Sequence, residues 1–104
     1  MKLFAEHQIH EALKHAAAGG QALHVFSPIW AGPRKPIPLP FKRTSVWAHL
    51  LDQDKQRLVE TARKLGVKII VVECEGRLSQ HVDLCGRPLQ RATRQCQGGL
   101  LWEK

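Results

Sequence analysis

The chain has 104 residues, 43% apolar and 24% charged, with a formal net charge of +7 and a pI near 9.9. These values exclude an extensively disordered chain, and they suffice for one folded domain, residues 1–104, but not for two. No run approaches the roughly 18 apolar residues of a membrane-spanning helix, so we expect no membrane partner. The N-terminal stretch turns polar too early for a signal peptide, and the three cysteines then favour the reducing cytoplasm.

The first two predicted elements are a helix and a strand. Residues 6–18 carry Ile9, Leu13 and Ala16 at helical spacing and are followed by a pair of glycines, which predicts a helix that ends there. Residues 22–30 alternate and then turn apolar, which predicts a strand that ends near the proline of this segment.

A proline-rich basic loop follows, over residues 31–43, AGPRKPIPLPFKR. Proline excludes a helix and removes donors from a sheet, so the segment should be stiff and extended, close to polyproline II. A loop of this length without secondary structure is usually functional or disordered. It is therefore either a rigid connector or the border of a site. The side chains of interest here are the aromatic Trp30 and Phe41 and the basic Arg34, Lys35, Lys42 and Arg43.

The middle of the chain predicts a second helix and a central strand. Residues 45–65 fit a helical stripe, with a bend or a fresh start at Asp52 and a stop at Gly66. Residues 67–74 hold six apolar side chains in eight, several of them β-branched, which is typical of a strand covered on both faces in a parallel sheet.

The last part predicts a short strand or turn over residues 81–84 and a final helix with Pro88 in its first turn and its end at Gly98-Gly99. Residues 100–104 would at most add a small edge strand. The final helix turns two sets of side chains to opposite faces: Leu89, Ala92 and Cys96 inward, and Arg87, Arg91 and Arg94 outward.

The element order defines the fold class. Helix, strand, helix, strand, strand and helix predict a small single-domain α/β sheet with at least one parallel strand–helix–strand crossover. An N-terminal and a C-terminal helix should flank that sheet.

The candidate site follows from the rule that open α/β sheets bind ligands at the carboxyl ends of their strands. This rule gathers four basic or titratable side chains at one edge: Arg43, His49, Arg77 and His81. His81 and Asp83 are two residues apart, so in a strand both point to the same face, where a carboxylate can orient an imidazole. Such a pair serves general base catalysis, metal ligation or a purely structural role.

Motifs for cofactors and metals are lacking. The sequence contains neither G-x-G-x-x-G nor a Walker A loop, so no particular cofactor is indicated. Cys74, Cys85 and Cys96 include no C-x-x-C pair, and His7 and His10 have no evident third ligand. The sequence therefore predicts no metal site.

The stretch from Trp47 to Cys96 resembles a family of short bacterial and phage proteins of unknown function. These proteins share a His-Leu pair before a helix, then Leu-Gly, a strand, a His-x-Asp triplet, and a basic residue followed by a small one in a final helix. The resemblance covers about half the chain and departs from the usual pattern at Val82, where the family has an aromatic. It implies that His49 belongs with His81 and Asp83. The matching positions are His49, Leu50, Leu65, Gly66, His81, Asp83, Arg91 and Ala92.

Three functions remain open, in this order. The positive charge is concentrated in two stretches, residues 31–50 and 77–96, which favours a binder of a phosphate-bearing ligand, a nucleotide or nucleic acid, without catalysis. The first alternative is a phosphodiesterase or other small hydrolase, metal-dependent or metal-independent, that uses His49, His81 and Asp83. The second is a phage-type inhibitor that binds a nucleic-acid-handling host enzyme through the loop at 31–43. The sequence does not indicate an oligomeric state.

Overall fold

The structure, a computed structural model, describes residues 1–26 and 47–96. Within these ranges the strands are β1 (Lys2–Phe4), β2 (Gln21–Phe26), β3 (Trp47–Asp52) and β4 (His81–Leu84), and the helices are a 3-10 turn (Glu6–Gln8), α1 (Ile9–Ala17), α2 (Lys55–Lys64) and α3 (Gly86–Cys96). The expected α/β class, flanked by an N-terminal and a C-terminal helix, is confirmed. No helix among these residues is both long and apolar enough to cross a membrane.

The four strands form one mixed sheet in the order β1-β2-β3-β4. β1 and β2 are parallel and are joined through α1, whereas β2–β3 and β3–β4 are antiparallel. The structure thus contains a parallel strand–helix–strand crossover, as expected. The crossover runs from β1, a strand not predicted from the sequence, through α1 to β2. The central part of the chain does not form it.

The sheet separates two apolar layers. On one face, which we call the α1 face, α1 packs its buried alanines against Phe4, Ala22 and Leu51. On the opposite face, α2 and α3 pack on alternate residues of β2, β3 and β4. The larger core is on this second face and comprises Leu23, Ala48, Leu50, Leu58, Ala62, Leu65, Val82, Leu84, Leu89 and Ala92.

The helix expected over 45–65 is wrong in its first part, because residues 47–52 form β3. Five of its six side chains are buried, since both faces of this strand are covered. A strand covered on both faces shows no alternation, and its apolar residues then mimic a helical stripe. The helix begins later, and its cap is Asp54, whose side chain accepts from the backbone N–H of Arg57.

The central strand expected over 67–74 is also wrong. Only Glu73 forms a backbone bridge, with His81, and the preceding residues belong to no strand. Three side chains of this stretch, those of Val67, Ile70 and Val72, pack against the core. Ile69, by contrast, is 83% exposed and Val71 is 58% exposed. The run is apolar enough for a strand, but apart from Glu73 its backbone pairs with no described strand, and only one of its sides packs on the core.

Several other predictions are confirmed. α1 ends before Gly19 and α2 before Gly66, and both glycines adopt the positive φ of a helix end. In α3, Leu89 and Ala92 are buried, while the arginines of the opposite face are exposed. Predictions for residues 27–46 and 97–104 lie outside the described residues. These include Trp30, Arg34, Lys35, Phe41, Lys42 and Arg43, and the possible edge strand at 100–104.

Asp52, the last residue of β3, is a fully buried carboxylate that connects the elements around it. Arg57 binds it through two contacts of 2.7 Å, and the side-chain amide of Gln21 donates to it at 2.9 Å. The guanidinium of Arg57 also donates to the carbonyl of Gly19, just after α1. A buried charge is tolerated only when it is paired and hydrogen-bonded, and this one satisfies both conditions.

We expect Asp52→Ala to lower the free energy of unfolding by about 2–3 kcal/mol, because it removes the buried acceptor of the hydrogen bonds from Arg57 and Gln21. Lys55→Ala is the matched control. It breaks the surface ion pair between Lys55 and Glu75, two side chains that are each more than half exposed, and should lower the free energy of unfolding by less than about 1 kcal/mol. Urea unfolding of the two variants checks this. Similar losses in both would show that Asp52 does not anchor the fold.

Candidate functional site

The β3–β4 pairing positions the three residues singled out from the sequence. In the antiparallel register His49 lies opposite Asp83, and Leu51 lies opposite His81. His81 and Asp83 are two residues apart in β4, so they share a face, as expected. Since Leu51 packs under α1, all three side chains lie on the α1 face of the sheet. His49 reaches this place from a strand and not from the helix assigned to it in the sequence analysis.

The three side chains are in contact. The Oδ1 atom of Asp83 is 3.3 Å from Nε2 of His81 and 3.5 Å from Nε2 of His49. The two imidazole rings are 4.3 Å apart, centroid to centroid. Nε2 of His81 and Oδ1 of Asp83 are buried, and neither has the geometry of a hydrogen bond to any described residue. The three side chains therefore converge on one point with polar atoms that are not hydrogen-bonded to one another.

The other nitrogen of His81 explains which atom faces that point. Nδ1 lies 2.7 Å from the carbonyl oxygen of Ser79, a group that can only accept, so Nδ1 carries the proton and donates. Nε2 then faces the carboxylates in one of two states. Without a proton it presents a lone pair, which the carboxylates repel. With a proton it is the second N–H of an imidazolium. A backbone carbonyl that orients an imidazole in this way is typical of histidines that bind a metal.

Glu73 is a fourth member of the cluster and was not predicted from the sequence. Its backbone exchanges two hydrogen bonds with His81, at 2.8 and 3.0 Å, and its Oε2 atom lies 3.2 Å from Nε2 of the same histidine. The site thus holds two carboxylates beside two imidazoles, a local charge of about −2 when both imidazoles are neutral. Only the folding of residues 67–80 back onto β4 shows that Glu73 belongs here.

The charges of the cluster shift the pKa values of its members. Burial alone would lower the pKa of His81, but the Asp83 carboxylate, the Ser79 carbonyl and the Glu73 carboxylate raise it above its ordinary value. Burial alone would raise the pKa of Asp83, but His81 and His49 lower it. In the absence of a metal, the folded protein therefore favours a protonated His81 beside an ionised Asp83.

His24 extends the cluster along the sheet and was not singled out from the sequence. It lies opposite His49 in the β2–β3 register, and the two rings are stacked, 5.9 Å apart with an interplanar angle of 21°. Nε2 of His24 donates to the carbonyl of Glu6 at 2.8 Å, which holds this buried ring in place. Alternation in β2 puts His24 on the same face as Ala22, but its neighbour His49 could be recognised only once β3 was known.

The ligand types and distances fit a metal ion. One ligand atom from each of His49, His81 and Asp83 lies within 4.8 Å of those of the other two. Ligands at about 2.0–2.2 Å from a tetrahedral Zn²⁺ are about 3.3–3.6 Å apart, and the two distances to Asp83 are 3.3 and 3.5 Å. Two histidines and one carboxylate are also a ligand set for other transition metals with open coordination positions.

The predicted anion-binding residues are placed elsewhere. Arg87, Arg91 and Arg94 are exposed on α3, which packs on the other face of the sheet from the histidines. Arg77 is exposed in the turn before β4, and its carbonyl accepts from the side chain of Gln53. The structure therefore separates the three arginines of α3 from His49 and His81, and the place of Arg77 in an anion site stays a prediction.

Comparison with protein-family models, curated proteins and solved structures finds no match for this chain. The resemblance to short bacterial and phage proteins stays a prediction.

The metal-free protein should lose stability as the pH rises. A raised folded-state pKa makes the contribution of His81 complete below about pH 6.5, its unfolded value, and the contribution is lost as the pH rises through the folded pKa. Asp83 has a lowered pKa, so its contribution to stability is complete above about pH 3.9, its unfolded value. That contribution is lost as the pH falls through the folded pKa. The groups that face His81 are Asp83, Glu73 and His49.

We therefore expect the unfolding temperature of the chelator-treated protein to fall between about pH 6 and pH 8. The fall should be smaller in His81→Asn, whereas His10→Ala, which removes an exposed histidine of α1, should behave like the wild type. Parallel curves for the wild type and His81→Asn would contradict the stabilising charge on His81.

Proposed function

We propose that this protein is a small hydrolase that depends on a divalent metal ion, with His49, His81 and Asp83 as the metal ligands and phosphate esters as the substrate class. The observation that carries the proposal is that the Oδ1 atom of Asp83 lies 3.3 and 3.5 Å from the two Nε2 atoms, distances that suit neighbouring ligands of a tetrahedral ion, with His81 oriented through Nδ1. Three protein ligands leave a coordination position open, which is the arrangement of catalytic rather than structural zinc sites.

Electrostatics support a cation at this point. The chain carries a net charge of +7, yet Asp83 and Glu73 place two carboxylates around one buried imidazole nitrogen. A divalent ion would neutralise these carboxylates. It would also bind Nε2 of His81 and Oδ1 of Asp83, the two buried atoms of the cluster without a hydrogen bond to the described residues. A proton on His81 is the competing solution, because both bind the same Nε2 atom. Metal binding should therefore release that proton.

The chain would supply positioning and a proton acceptor. A bound divalent ion supplies a Lewis acid and lowers the pKa of a coordinated water. The Ser79 carbonyl fixes the ring of His81, and the stacked ring of His24 supports His49. The Glu73 side chain is 41% exposed and lies beside the cluster without being one of its three converging ligands, so it is the group placed to accept a proton.

The substrate class rests on charge. A strongly basic protein attracts phosphates and raises their local concentration, and a chain at +7 suits phosphate esters better than cationic or neutral substrates. The metal-independent alternative, with His49 and His81 as acid and base, uses the same residues and differs in its response to chelation.

Metal binding is the first test. Calorimetry on the chelated and desalted protein with Zn²⁺, Mn²⁺ and Co²⁺ should show one ion bound per chain, with release of protons. His49→Ala, His81→Ala and Asp83→Asn should each weaken binding by at least about 100-fold, since even residues that only support a ligand contribute about 10–100-fold. His10→Ala is the matched histidine control and should bind like the wild type. Equal binding by all variants would place the ion elsewhere.

Turnover is the second test. Chromogenic phosphate mono- and diesters should be hydrolysed by the metal-loaded wild type and by His10→Ala, but not by His81→Ala or the chelated protein. Hydrolysis that persists in chelator and is lost in His81→Ala would support the metal-independent alternative. A loaded protein that hydrolyses none of these esters would contradict the proposed activity while leaving the metal site intact.

Glu73→Gln separates positioning from proton transfer. We expect metal affinity within about tenfold of the wild type, because the three converging ligands remain. Turnover should fall by about 10²–10⁴-fold, as expected when a general base is removed, and the pH–rate profile should keep only the acidic limb that comes from protonation at the metal ligands. A loss of metal affinity as large as that of Asp83→Asn would make Glu73 a ligand instead.

A further inference from the structure

The outward face of α3 carries a row of three arginines. Arg87, Arg91 and Arg94 are spaced at i, i+4 and i+7, so they lie along one side of the helix, and all three are exposed. No acidic residue occurs in α3. Like charges at this spacing destabilise a helix, so the row has a cost for folding that no charge within the helix offsets.

The middle arginine is held in position. Nη1 of Arg91 donates to the carbonyl of Leu65 at 2.9 Å, one of the last carbonyls of α2. A Cβ at position 66 would clash with the same Nη1 atom, so glycine there makes room for the guanidinium. Arg91 makes no other hydrogen bond to the described part of the chain, which leaves the rest of its N–H groups facing outward. A guanidinium fixed in this way loses less freedom when it binds a ligand.

The arginines surround an open depression in the surface. The depression has a volume of about 250 Å³ and is lined by Arg87, Gln90, Arg91 and Arg94. The described acids that form ion pairs, Asp52, Glu73, Glu75 and Asp83, pair with other residues. Within residues 1–26 and 47–96, Arg87 and Arg91 therefore have no acidic partner. This surface offers guanidinium donors for an anion, with that of Arg91 held in place.

We propose that this face of α3, which we call the arginine face, binds the sugar–phosphate backbone of nucleic acid without reading its sequence. The row spans about 10 Å along the helix axis, which matches several successive phosphates better than a single one. The depression is open and does not enclose a small ligand. The exposed large apolar residues of the described chain are Ile69, Val71 and Leu78, none of them aromatic, so the face lacks a platform for stacking bases.

The arginine face is independent of the proposed metal site, because the two lie on opposite sides of the sheet. Binding of nucleic acid should therefore survive both chelation and His81→Ala. The two proposals can fail separately: loss of metal binding says nothing about the arginine face, and loss of nucleic-acid binding says nothing about the ligands.

The test is fluorescence anisotropy in chelator with labelled duplexes of about 20 base pairs, in two unrelated sequences, between about 50 and 200 mM salt. The wild type should bind both sequences alike. Replacement of Arg87, Arg91 and Arg94 by Ala should weaken binding to both and reduce the slope of log affinity against log salt by about 2–3, close to 0.9 for each phosphate that is no longer neutralised. The variant should fold, because the loss of the Arg91–Leu65 hydrogen bond costs only about 1 kcal/mol and is partly offset by the removal of like-charge repulsion, and circular dichroism checks this.

Two controls make the result specific. Replacement of Lys2, Lys14 and Arg63 by Ala removes the same net charge from exposed positions on other elements and should leave most of the salt slope. Replacement of the three arginines by Lys keeps the charges and should keep the slope. Equal losses in the two Ala variants would reduce the effect to net charge and overturn the proposal. A second experiment, by competition, holds the ionic strength constant. If inorganic phosphate or a mononucleotide then displaces the duplex, the site suits a single phosphate and the proposal is overturned.

Discussion

The register between β3 and β4 is the constraint on which the candidate site depends, and the buried end of β3 holds it. The backbone N–H of Asp52 donates to the carbonyl of Gln80, and the side-chain amide of Gln80 donates to the carbonyl of Asp52. Three residues away from this pair, His49 and Asp83 lie opposite one another. A slip of one residue would turn these side chains to opposite faces of the sheet, because side chains alternate with a period of two. The backbone contacts between Asp52 and Gln80 therefore contribute to a geometry several residues away.

The cluster on the α1 face resolves its own electrostatics in one of two ways. With a proton on His81, the imidazolium lies between Asp83 and Glu73, and the shifted pKa values reflect that pairing. In the proposed metal-bound state, the same nitrogen would be a ligand and the carboxylates would face a divalent charge. Both states use His81 Nε2, so the proton and the ion exclude one another, and the hydrogen bond from Nδ1 to Ser79 suits either state. This shared atom gives the proposed hydrolase a site that is ordered before any ion binds.

The sheet also keeps two kinds of chemistry apart. Histidines and carboxylates lie on the α1 face, whereas the arginines of α3 lie beyond the second apolar layer. Leu89 and Ala92 anchor α3 on that layer, which leaves its other side available to carry positive charge. A surface that holds a phosphate backbone and a separate centre that carries out hydrolysis would act on the same class of polyanion without sharing residues. Each can then be varied without disturbing the other.

The sequence by itself determined those features that depend on neighbouring residues. The glycines after α1 and α2, the inward Leu89 and Ala92, the outward arginines of α3, and the shared face of His81 and Asp83 all follow from spacing within one element. The α/β class followed from the succession of such elements. The tertiary structure decided the rest. Trp47–Asp52 is a strand because it pairs with both β2 and β4, whereas residues 67–72 pair with no described strand, although both segments are rich in apolar residues. Pairing across strands then brought His24, His49 and Glu73 to Asp83 and His81, since contacts between residues far apart in the chain depend on which strands pair and in which register.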